Sequence, residues 1–317
     1  MLCKYTRAFA VLPVRCDELL RVARNSLAQA RYLVTDDSLK SKVLNKQIGC
    51  FLPMKLNNVL VVYTKPLSKM QKDTLTAVQN ILKNNDVKYG IAIREKLSKN
   101  LFRGKDMIIA VGGDGTFLMA SHYVLDDTPM LGVNSDPKFK EGFFMKADKA
   151  DFRNNLRKII NGKCRIRKLH RLEAYIGGKK IPDLALNEFY IAAAIPYHTA
   201  RYYISINGKK ERQKSSGILV STAAGSYAWA KSCGGKQLPV FSDNFEYVVR
   251  EPYFGRTAAK CKLAMGILKK TQEVLIEFEF GKGVIMADST STEYKFPASK
   301  KVRVRLSNKP VSVICFD

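Results

Sequence analysis

From residue 58 onward, short apolar runs alternate with segments in which apolar residues keep helical spacing. The runs have the length of strands and lie at residues 59–63, 87–93, 107–111 and 129–133. The clearest helical spacing covers residues 67–82. Strands that alternate with helices form parallel sheets whose faces the helices cover. The pattern therefore predicts an α/β N-terminal domain with a parallel sheet over residues 54–147.

The pattern changes after a helix predicted to begin near Asp148 and to end at Asn161 and Gly162. Strand-length segments then follow one another, separated by glycine-containing hairpin signals at residues 177–178, 207–208 and 281–283. Residues 148–297 are therefore predicted to form a predominantly β domain.

The two ends of the chain are harder to assign. Residues 302–306 and 311–316 predict a final hairpin that fits either domain. Residues 1–53 predict an N-terminal helical extension or a targeting segment, because arginines are frequent and no acid precedes Asp17. A helical pattern that begins at Asp17 favours the extension. The alternative is a transit peptide over residues 1–35, which would direct the protein to the mitochondrial matrix.

Composition limits the classes of partner. The 317 residues suggest about two domains, and 54 Lys and Arg against 28 Asp and Glu give a net charge of +26. Such a charge favours anionic partners, either nucleotides or nucleic acid. The basic residues are scattered, without a polybasic tail, so nucleic acid is the less favoured of the two. No apolar run is long enough to span a membrane.

Cysteine usage bears on the compartment. Seven cysteines are widely spaced and contain no Cys-x-x-Cys pair. An odd number of separated cysteines is typical of reduced thiols, so a cytoplasmic location is expected.

The most informative motif is Val-Gly-Gly-Asp-Gly-Thr at residues 111–116, between the apolar run 107–111 and an apolar segment of helical type. Glycines let a strand-to-helix turn bring backbone N–H groups against phosphate oxygens, and the helix N-terminus favours negative charge. Asp114 would repel a bare phosphate, so it either assists a metal ion or accepts a proton from an attacking hydroxyl. A purely structural Asp-Gly turn remains the alternative.

Two further segments follow: Leu-Asn-Glu-Phe-Tyr at residues 186–190, and Ser-Gly-Ile-Leu-Val-Ser-Thr-Ala-Ala-Gly-Ser-Tyr-Ala-Trp at residues 216–229. With the glycine motif, in this order and spacing, the chain resembles the NAD kinase family from about Asn58 to its C-terminus. Residues 132–137, 141–142 and 213–217 are most similar to the divergent, mitochondrial-type branch. The resemblance also suggests that residues 298–317 return to the first domain.

The resemblance implies transfer of the γ-phosphoryl group of ATP to the 2′-hydroxyl of the adenosine ribose of NAD, with Mg²⁺ and in a homo-oligomer. Asp114 would be the general base. The donor phosphates would bind Gly112, Gly113, Gly115 and Thr116. The residues expected at the NAD site are Asn187, Glu188, Ser216, Ser226, Tyr227, Ala228, Trp229, Ser232, Phe143 and Phe144.

The chain also departs from the family pattern. Ser216 stands where an Asp is common, and Ala223-Ala224 stands where Pro-Thr or Pro-Ser is common. Tyr227 and Trp229 stand where Thr and Tyr are common. These changes bear on dinucleotide selectivity more than on phosphoryl chemistry. Two alternatives therefore stay open: a lipid-type kinase that shares the glycine motif, and a catalytically degraded homologue that binds nucleotide or RNA.

Overall fold

The structure is a computed structural model that describes residues 53–254, 261–290 and 292–316. The helical extension or transit peptide predicted within residues 1–53 lies outside the described residues, apart from residue 53 itself. None of the described helices has the length and apolar character needed to cross a membrane.

The first part of the described chain alternates strands and helices. Its elements are β1 (Val59–Tyr63), α1 (Lys69–Lys83), β2 (Tyr89–Ile93), α2 (Lys99–Phe102), β3 (Met107–Gly112), α3 (Asp114–Ser121), β4 (Met130–Asn134), β5 (Met145–Asp148), α4 (Phe152–Ile160) and β6 (Arg165–Leu169).

The second part is mostly strands. Its elements are β7 (Leu172–Ile176), β8 (Lys179–Ala185), β9 (Glu188–Ala193), β10 (Ala200–Ile206), β11 (Lys209–Ser215), β12 (Gly217–Thr222), α5 (Trp229–Ser232), β13 (Phe245–Arg250), β14 (Met265–Leu268), β15 (Glu273–Phe278), β16 (Lys282–Ala287), β17 (Tyr294–Pro297), β18 (Val302–Leu306) and β19 (Val311–Cys315).

The first sheet has the strand order β2-β1-β3-β4-β19-β6, with β5 paired to β4. Strands β2, β1, β3 and β4 are parallel. In β1, Val59 and Val61 pack into the core that also contains residues of α1 and α4, whereas Leu60 and Val62 face the core that contains α2 and α3. Because successive strand residues point to opposite faces, a strand covered on both sides is apolar throughout. The predicted α/β domain with a parallel sheet is confirmed.

The remaining strands form two antiparallel sheets of six strands each. Their orders are β11-β10-β15-β18-β7-β8 and β14-β13-β12-β9-β16-β17. One apolar cluster lies between them, with Phe189, Tyr202, Phe245 and Phe296 among its buried residues. The predominantly β domain predicted from the hairpin signals is confirmed.

The predicted final hairpin is wrong. Strand β18 pairs with β15 and β7, whereas β19 lies beside β4 and β6 in the first sheet. The burial pattern gives the reason: β18 alternates, as suits a sheet with one solvated face, whereas Val311 to Ile314 are buried throughout, as suits a strand covered by helices on both faces.

Two other expectations differ from the structure. The glycines at residues 281–283 do not form a hairpin, because β15 and β16 belong to different sheets. The domain boundary placed between residues 147 and 148 falls between β5 and α4. Helix α4 packs on the first sheet through Phe152, Leu156 and Ile159, and β6 is its edge strand, so the chain leaves the first domain only after β6.

Candidate active site

The glycine motif forms the turn between β3 and α3. Gly113 is the N-cap of α3, and the Thr116 N–H donates to the Gly113 carbonyl at 2.9 Å. A Cβ on Gly112 would lie 2.3 Å from Thr116 Oγ1, so this position requires glycine for close approach. Thr116 is buried, and its Oγ1 has no hydrogen-bond partner in the part of the chain that the structure describes. The turn thus presents a helix N-terminus, where an anion is stabilised by the free N–H groups and the dipole.

A cavity of about 410 Å³ lies in front of this turn. It is lined by residues 113–116, by the basic residues Lys65, Arg94 and Lys140, and by the acidic Glu141, among others. Burial lowers the pKa of Lys140; Asp136 opposes this shift, and the neighbouring Arg94 adds to it. The Lys140 ammonium donates to Ser135 Oγ at 2.8 Å. Three cationic side chains around a helix N-terminus make this cavity suited to a polyphosphate.

Asp114 connects the turn to the loop before β5. Its Oδ2 accepts the N–H of Phe143 at 3.1 Å, and its Oδ1 accepts the N–H of Phe144 at 2.8 Å. The ring of Phe143 in turn lies 5.1 Å from the ring of Tyr227. The carboxylate is therefore fixed in orientation, and each oxygen retains lone-pair capacity for another donor.

The segment Asn187-Glu188 belongs to the second motif, residues 186–190, and is hydrogen-bonded to the third motif, residues 216–229. Thr222 donates its N–H to the Asn187 carbonyl at 2.8 Å and its hydroxyl to the Leu186 carbonyl at 2.7 Å. A Cβ on Gly225 would lie 2.1 Å from the Asn187 carbonyl oxygen, so glycine is required here as well. The second and third motifs are thus in direct backbone contact.

Asn187 and Glu188 carry unsatisfied buried atoms. Asn187 Oδ1 and Glu188 Oε2 have no hydrogen-bond partner among the described residues, although both residues are buried. Burial, with a smaller contribution from the charge of Asp288, raises the pKa of Glu188 to about 8. Buried polar atoms without partners are costly, so they mark a place where a ligand can supply the missing bonds. A carboxyl that is protonated at neutral pH can donate as well as accept.

An aromatic and cationic cluster lies at the other end of β12. The ring of Trp229 lies 5.0 Å from the ring of Tyr190, and the Arg250 guanidinium lies 4.8 Å from the indole centre. The Tyr190 hydroxyl donates to the Ser216 carbonyl at 2.7 Å and accepts from Arg250 Nη1 at 3.2 Å. Ser216 and Trp229 are therefore joined through Tyr190.

The expected dinucleotide residues are not equally available to a ligand. Ser226 is fully buried; its hydroxyl donates to the Ala223 carbonyl at 2.7 Å and accepts the Leu238 N–H at 2.9 Å. This geometry favours a structural role for Ser226. Ser232 is exposed at the end of α5, and Ala228 is half-buried at its start.

Sequence reasoning did not select several residues that the structure places at or beside these motifs: Lys65, Arg94, Lys140, His122, Asp288 and Arg250. Two signals were present. Lys140 follows the carboxyl end of β4, the neighbour of β3, where ligands gather in parallel sheets. Asp288 is an acid directly after a mostly apolar strand. Neither signal shows which residue Lys140 or Asp288 would contact, because the contacting residues are not neighbours in the sequence.

Comparison with known protein families covers both domains. A model of the ATP-NAD kinase N-terminal domain matches residues 33–164, and a model of the ATP-NAD kinase C-terminal domain matches residues 186–316. Because both halves match, this family is favoured over the lipid-type kinases that share only the glycine motif.

Individual proteins agree with this assignment. A probable NADH kinase of Oryza sativa subsp. japonica is 28% identical over 259 residues, which cover 75% of this chain and 79% of that protein. The fold resembles that of an NAD kinase from Archaeoglobus fulgidus crystallised with ATP (TM-score 0.67, 20% identity, 82% and 93% coverage). It also resembles yeast NADH kinase complexed with NADH (TM-score 0.68, 15% identity, 83% and 84% coverage).

Proposed function

The chain belongs to the ATP-NAD kinase family, and we propose that it transfers the γ-phosphoryl group of ATP to the 2′-hydroxyl of the adenosine ribose of NAD. One observation carries the proposal. Asp114 lies in the turn between β3 and α3 and accepts hydrogen bonds from the backbone N–H groups of Phe143 and Phe144. The ring of Phe143 packs on Tyr227 of the third motif. A donor site and a candidate acceptor site are therefore joined by direct contacts at one carboxylate.

The donor phosphates would lie in the cavity in front of residues 113–116. Backbone N–H groups and the side chains of Lys65, Arg94 and Lys140 would offset their charge. Phosphoryl transfer needs positioning and charge neutralisation more than covalent chemistry from the protein. The ATP complex of the Archaeoglobus relative supports ATP as donor.

The acceptor ribose would lie against Asp114. Because two backbone N–H groups hold the carboxylate, it can orient the attacking hydroxyl and accept its proton late in the reaction. Asn187 Oδ1 and Glu188 Oε2 would bind the adenosine part, since both need partners. An amide supplies a donor and an acceptor, which suits an adenine edge.

Magnesium would assist the donor. Kinase sites usually bind Mg²⁺ through substrate phosphates together with one or two carboxylates. Among the described residues, Asp114 and Glu141 are the carboxylates that line the cavity, and both oxygens of Asp114 keep lone-pair capacity, so Asp114 fits this role. When bound, the ion would neutralise charge on the transferring group. Among the described residues, no three His, Cys, Asp or Glu side chains cluster as metal ligands.

NADH is the second candidate acceptor. The Arg250 guanidinium lies over Trp229, the residue for which the family resemblance implies a dinucleotide contact. A fixed cation disfavours the positively charged nicotinamide ring of NAD relative to the neutral ring of NADH. The rice and yeast relatives carry NADH kinase in their names.

The test is to incubate the purified protein with ATP, Mg²⁺ and either NAD or NADH, and to measure NADP and NADPH. Formation of NADP with NAD supports the main proposal, and formation of NADPH alone supports the second. ATP hydrolysis without either product would contradict both. Replacement of Arg250 by Gln should raise the rate with NAD relative to the rate with NADH if the cation discriminates between them.

A further inference from the structure

A buried ion pair joins the C-terminal end of α3 to the segment after β16. His122, the C-cap residue of α3, lies with its Nε2 2.9 Å from Asp288 Oδ2. The side chains are 7% and 0% exposed. The two residues are 166 positions apart and belong to different domains. This contact is therefore a direct link between the helix that begins at Asp114 and the β domain.

The Asp288 carboxylate also organises the second motif. Its Oδ2 accepts the N–H of Leu186 at 2.8 Å, and its Oδ1 accepts those of Asn187 and Glu188 at 2.7 and 3.1 Å. Its own N–H donates to the Glu188 carbonyl at 2.9 Å. One carboxylate thus fixes three consecutive peptide groups, and charge-assisted bonds of this kind are the strong ones.

The backbone at this point is unusual. Asp288 and Ser289 both have positive φ angles, 50° and 52°, in the left-handed region that side chains other than glycine adopt rarely. The Thr290 N–H donates to the Ala287 carbonyl at 2.9 Å, so residues 287–290 form a tight turn of the type in which two successive residues have positive φ and in which Asp is common.

The surroundings determine the charge of His122. Burial lowers its pKa, but Asp183, 3.9 Å from Nδ1, and Asp288 outweigh burial and raise the pKa to about 9. Tyr294 donates to Asp183 at 2.9 Å. Within the described ranges, the other charged groups facing this cluster are Arg94, Glu95 and Lys99 along the neighbouring groove and Glu188 beside Asp288. Arg171 also faces it and donates to the Ser121 carbonyl at 2.9 Å. His122 is therefore an imidazolium at neutral pH.

We propose that His122 and Asp288 are positioning residues that hold the Asn187-Glu188 segment in a fixed place relative to Asp114. Helix α3 has eight residues, so His122 lies about 12 Å along a rigid rod from the catalytic end. The unpartnered atoms of Asn187 and Glu188 project from the same backbone that Asp288 holds. The pair therefore sets the separation between the carboxylate that orients the hydroxyl and the groups that bind the acceptor.

This inference rests on the proposed function for its kinetic part. Misplacement of reacting groups by about 1 Å can reduce a rate about 100-fold. We therefore expect Asp288→Asn, which removes the charge and points an amide at backbone donors, to lower kcat by about 10- to 100-fold. KM for ATP should stay within about twofold, because the bonds of the Asp288 carboxylate go to His122 and residues 186–188 rather than to residues 113–116 at the donor cavity.

His122→Gln separates the hydrogen bond from the charge. Glutamine can still donate to Asp288, but it does not titrate. If the charge of the pair matters, His122→Gln should lower kcat at pH 7.5 to the level that the native protein reaches above pH 9, and it should lack the decrease in kcat expected of the native protein as pH rises through about 9. A change near pH 8 that arises from Glu188 would persist in this variant, which distinguishes the two groups.

Glu173→Gln is the matched control. Glu173 is also buried and paired, with Lys180, Arg305 and Tyr175, but it lies on β7 in the other sheet of the β domain. The Glu173→Gln variant should be less stable than the native protein, and its kcat should stay near the native value under conditions in which it is folded. If Asp288→Asn keeps the native kcat, or if the alkaline decrease persists unchanged in His122→Gln, the positioning role is wrong.

Hydrogen–deuterium exchange gives a readout that does not need activity. Peptides that contain residues 186–188 should exchange faster in Asp288→Asn than in the native protein or in Glu173→Gln. Unchanged exchange there contradicts the inference. Absence of NADP and NADPH formation by the native protein, with exchange altered as expected, would instead refute the proposed function and leave the structural link established.

Discussion

Replacement of Glu188 by Gln tests the electrostatics of the candidate acceptor site. Glu188 is 4% exposed, and its pKa is raised to about 8 by burial and by the nearby Asp288. In the unfolded chain the carboxyl has its ordinary pKa, 4.5. Between these values the folded protein keeps a proton that the unfolded chain has lost. The stability of the native protein therefore falls as pH rises from about 4.5 to about 8.

The size of the effect follows from the two pKa values. Each pKa unit corresponds to about 1.4 kcal/mol, so ionising Glu188 in the folded state costs about 5 kcal/mol at most. Relaxation and water entry reduce such penalties, so a difference of about 2–5 kcal/mol is expected. Glutamine resembles the protonated acid in shape and never ionises. The variant should therefore match the native protein near pH 4.5 and exceed its stability at pH 8.5.

The assay is thermal or urea unfolding at a series of pH values from 4.5 to 9 for the Glu188 variant, extended below pH 4.5 for the Glu173→Gln control. For domains of about 150–250 residues, 1 kcal/mol corresponds to about 2–4 °C in Tm, so the difference at pH 8.5 is measurable. Glu173→Gln is a control for which the expected change in stability with pH has the opposite sign. Burial raises the pKa of Glu173, but hydrogen bonds from Lys180, Arg305 and Tyr175 outweigh burial and lower it.

The stabilising contribution of Glu173 is therefore present above its unfolded pKa of 4.5 and is lost as pH falls through its lower folded value. Its replacement should destabilise at neutral pH and become harmless in acid. The reasoning about Glu188 is refuted if its variant is less stable than the native protein at pH 8.5, or if the difference does not change with pH.

Three further predictions concern the reaction. Asp114→Asn should lower NADP formation about 10²- to 10⁴-fold without changing the fold seen by circular dichroism; near-native turnover would reduce Asp114 to a turn residue. Asn187→Ala should weaken dinucleotide binding much more than ATP binding in calorimetry, and the reverse preference would remove Asn187 from the acceptor site. Emission of Trp229, the only tryptophan, should change on NAD binding, and its aromatic contact should contribute about 0.5–1.5 kcal/mol beyond buried area. Unchanged emission at saturating NAD with measurable turnover would place Trp229 outside the pocket.

The sequence predicts the first sheet well because its signals are local. The run at residues 59–63 matches β1, and the helical spacing at residues 67–82 matches α1 closely. The final strands show the limit. Residues 307–310 resemble a hairpin turn, yet β18 and β19 lie in different sheets. Strand pairing is decided by which sheet can bury each face, and that depends on residues far away in the chain.

The candidate site also contains parts that the sequence predicts and parts that it does not. The glycine turn was predictable because one short segment contains the strand end, the glycines and Asp114. The contact of His122 with Asp288 was not, because it joins residues 166 positions apart and neither belongs to a motif. Local sequence thus predicts which groups are candidates for the chemistry, whereas the distances between them depend on contacts that only the folded chain reveals.

The departures from the family pattern become intelligible in these terms. Ala223 and Ala224 are buried at 1% and 3% exposure, where their side chains have no polar role to fill. The adjacent Gly225 remains, and a Cβ there would lie 2.1 Å from the Asn187 carbonyl oxygen. What the third motif must supply is close backbone approach to the second, and alanine in place of proline leaves that approach intact. Tyr227, which replaces Thr, instead adds a ring contact to Phe143, the residue whose N–H Asp114 binds. The replacements thus keep the backbone framework around Asp114 and change the surface that a dinucleotide would meet, which is why selectivity between NAD and NADH is the property to measure first.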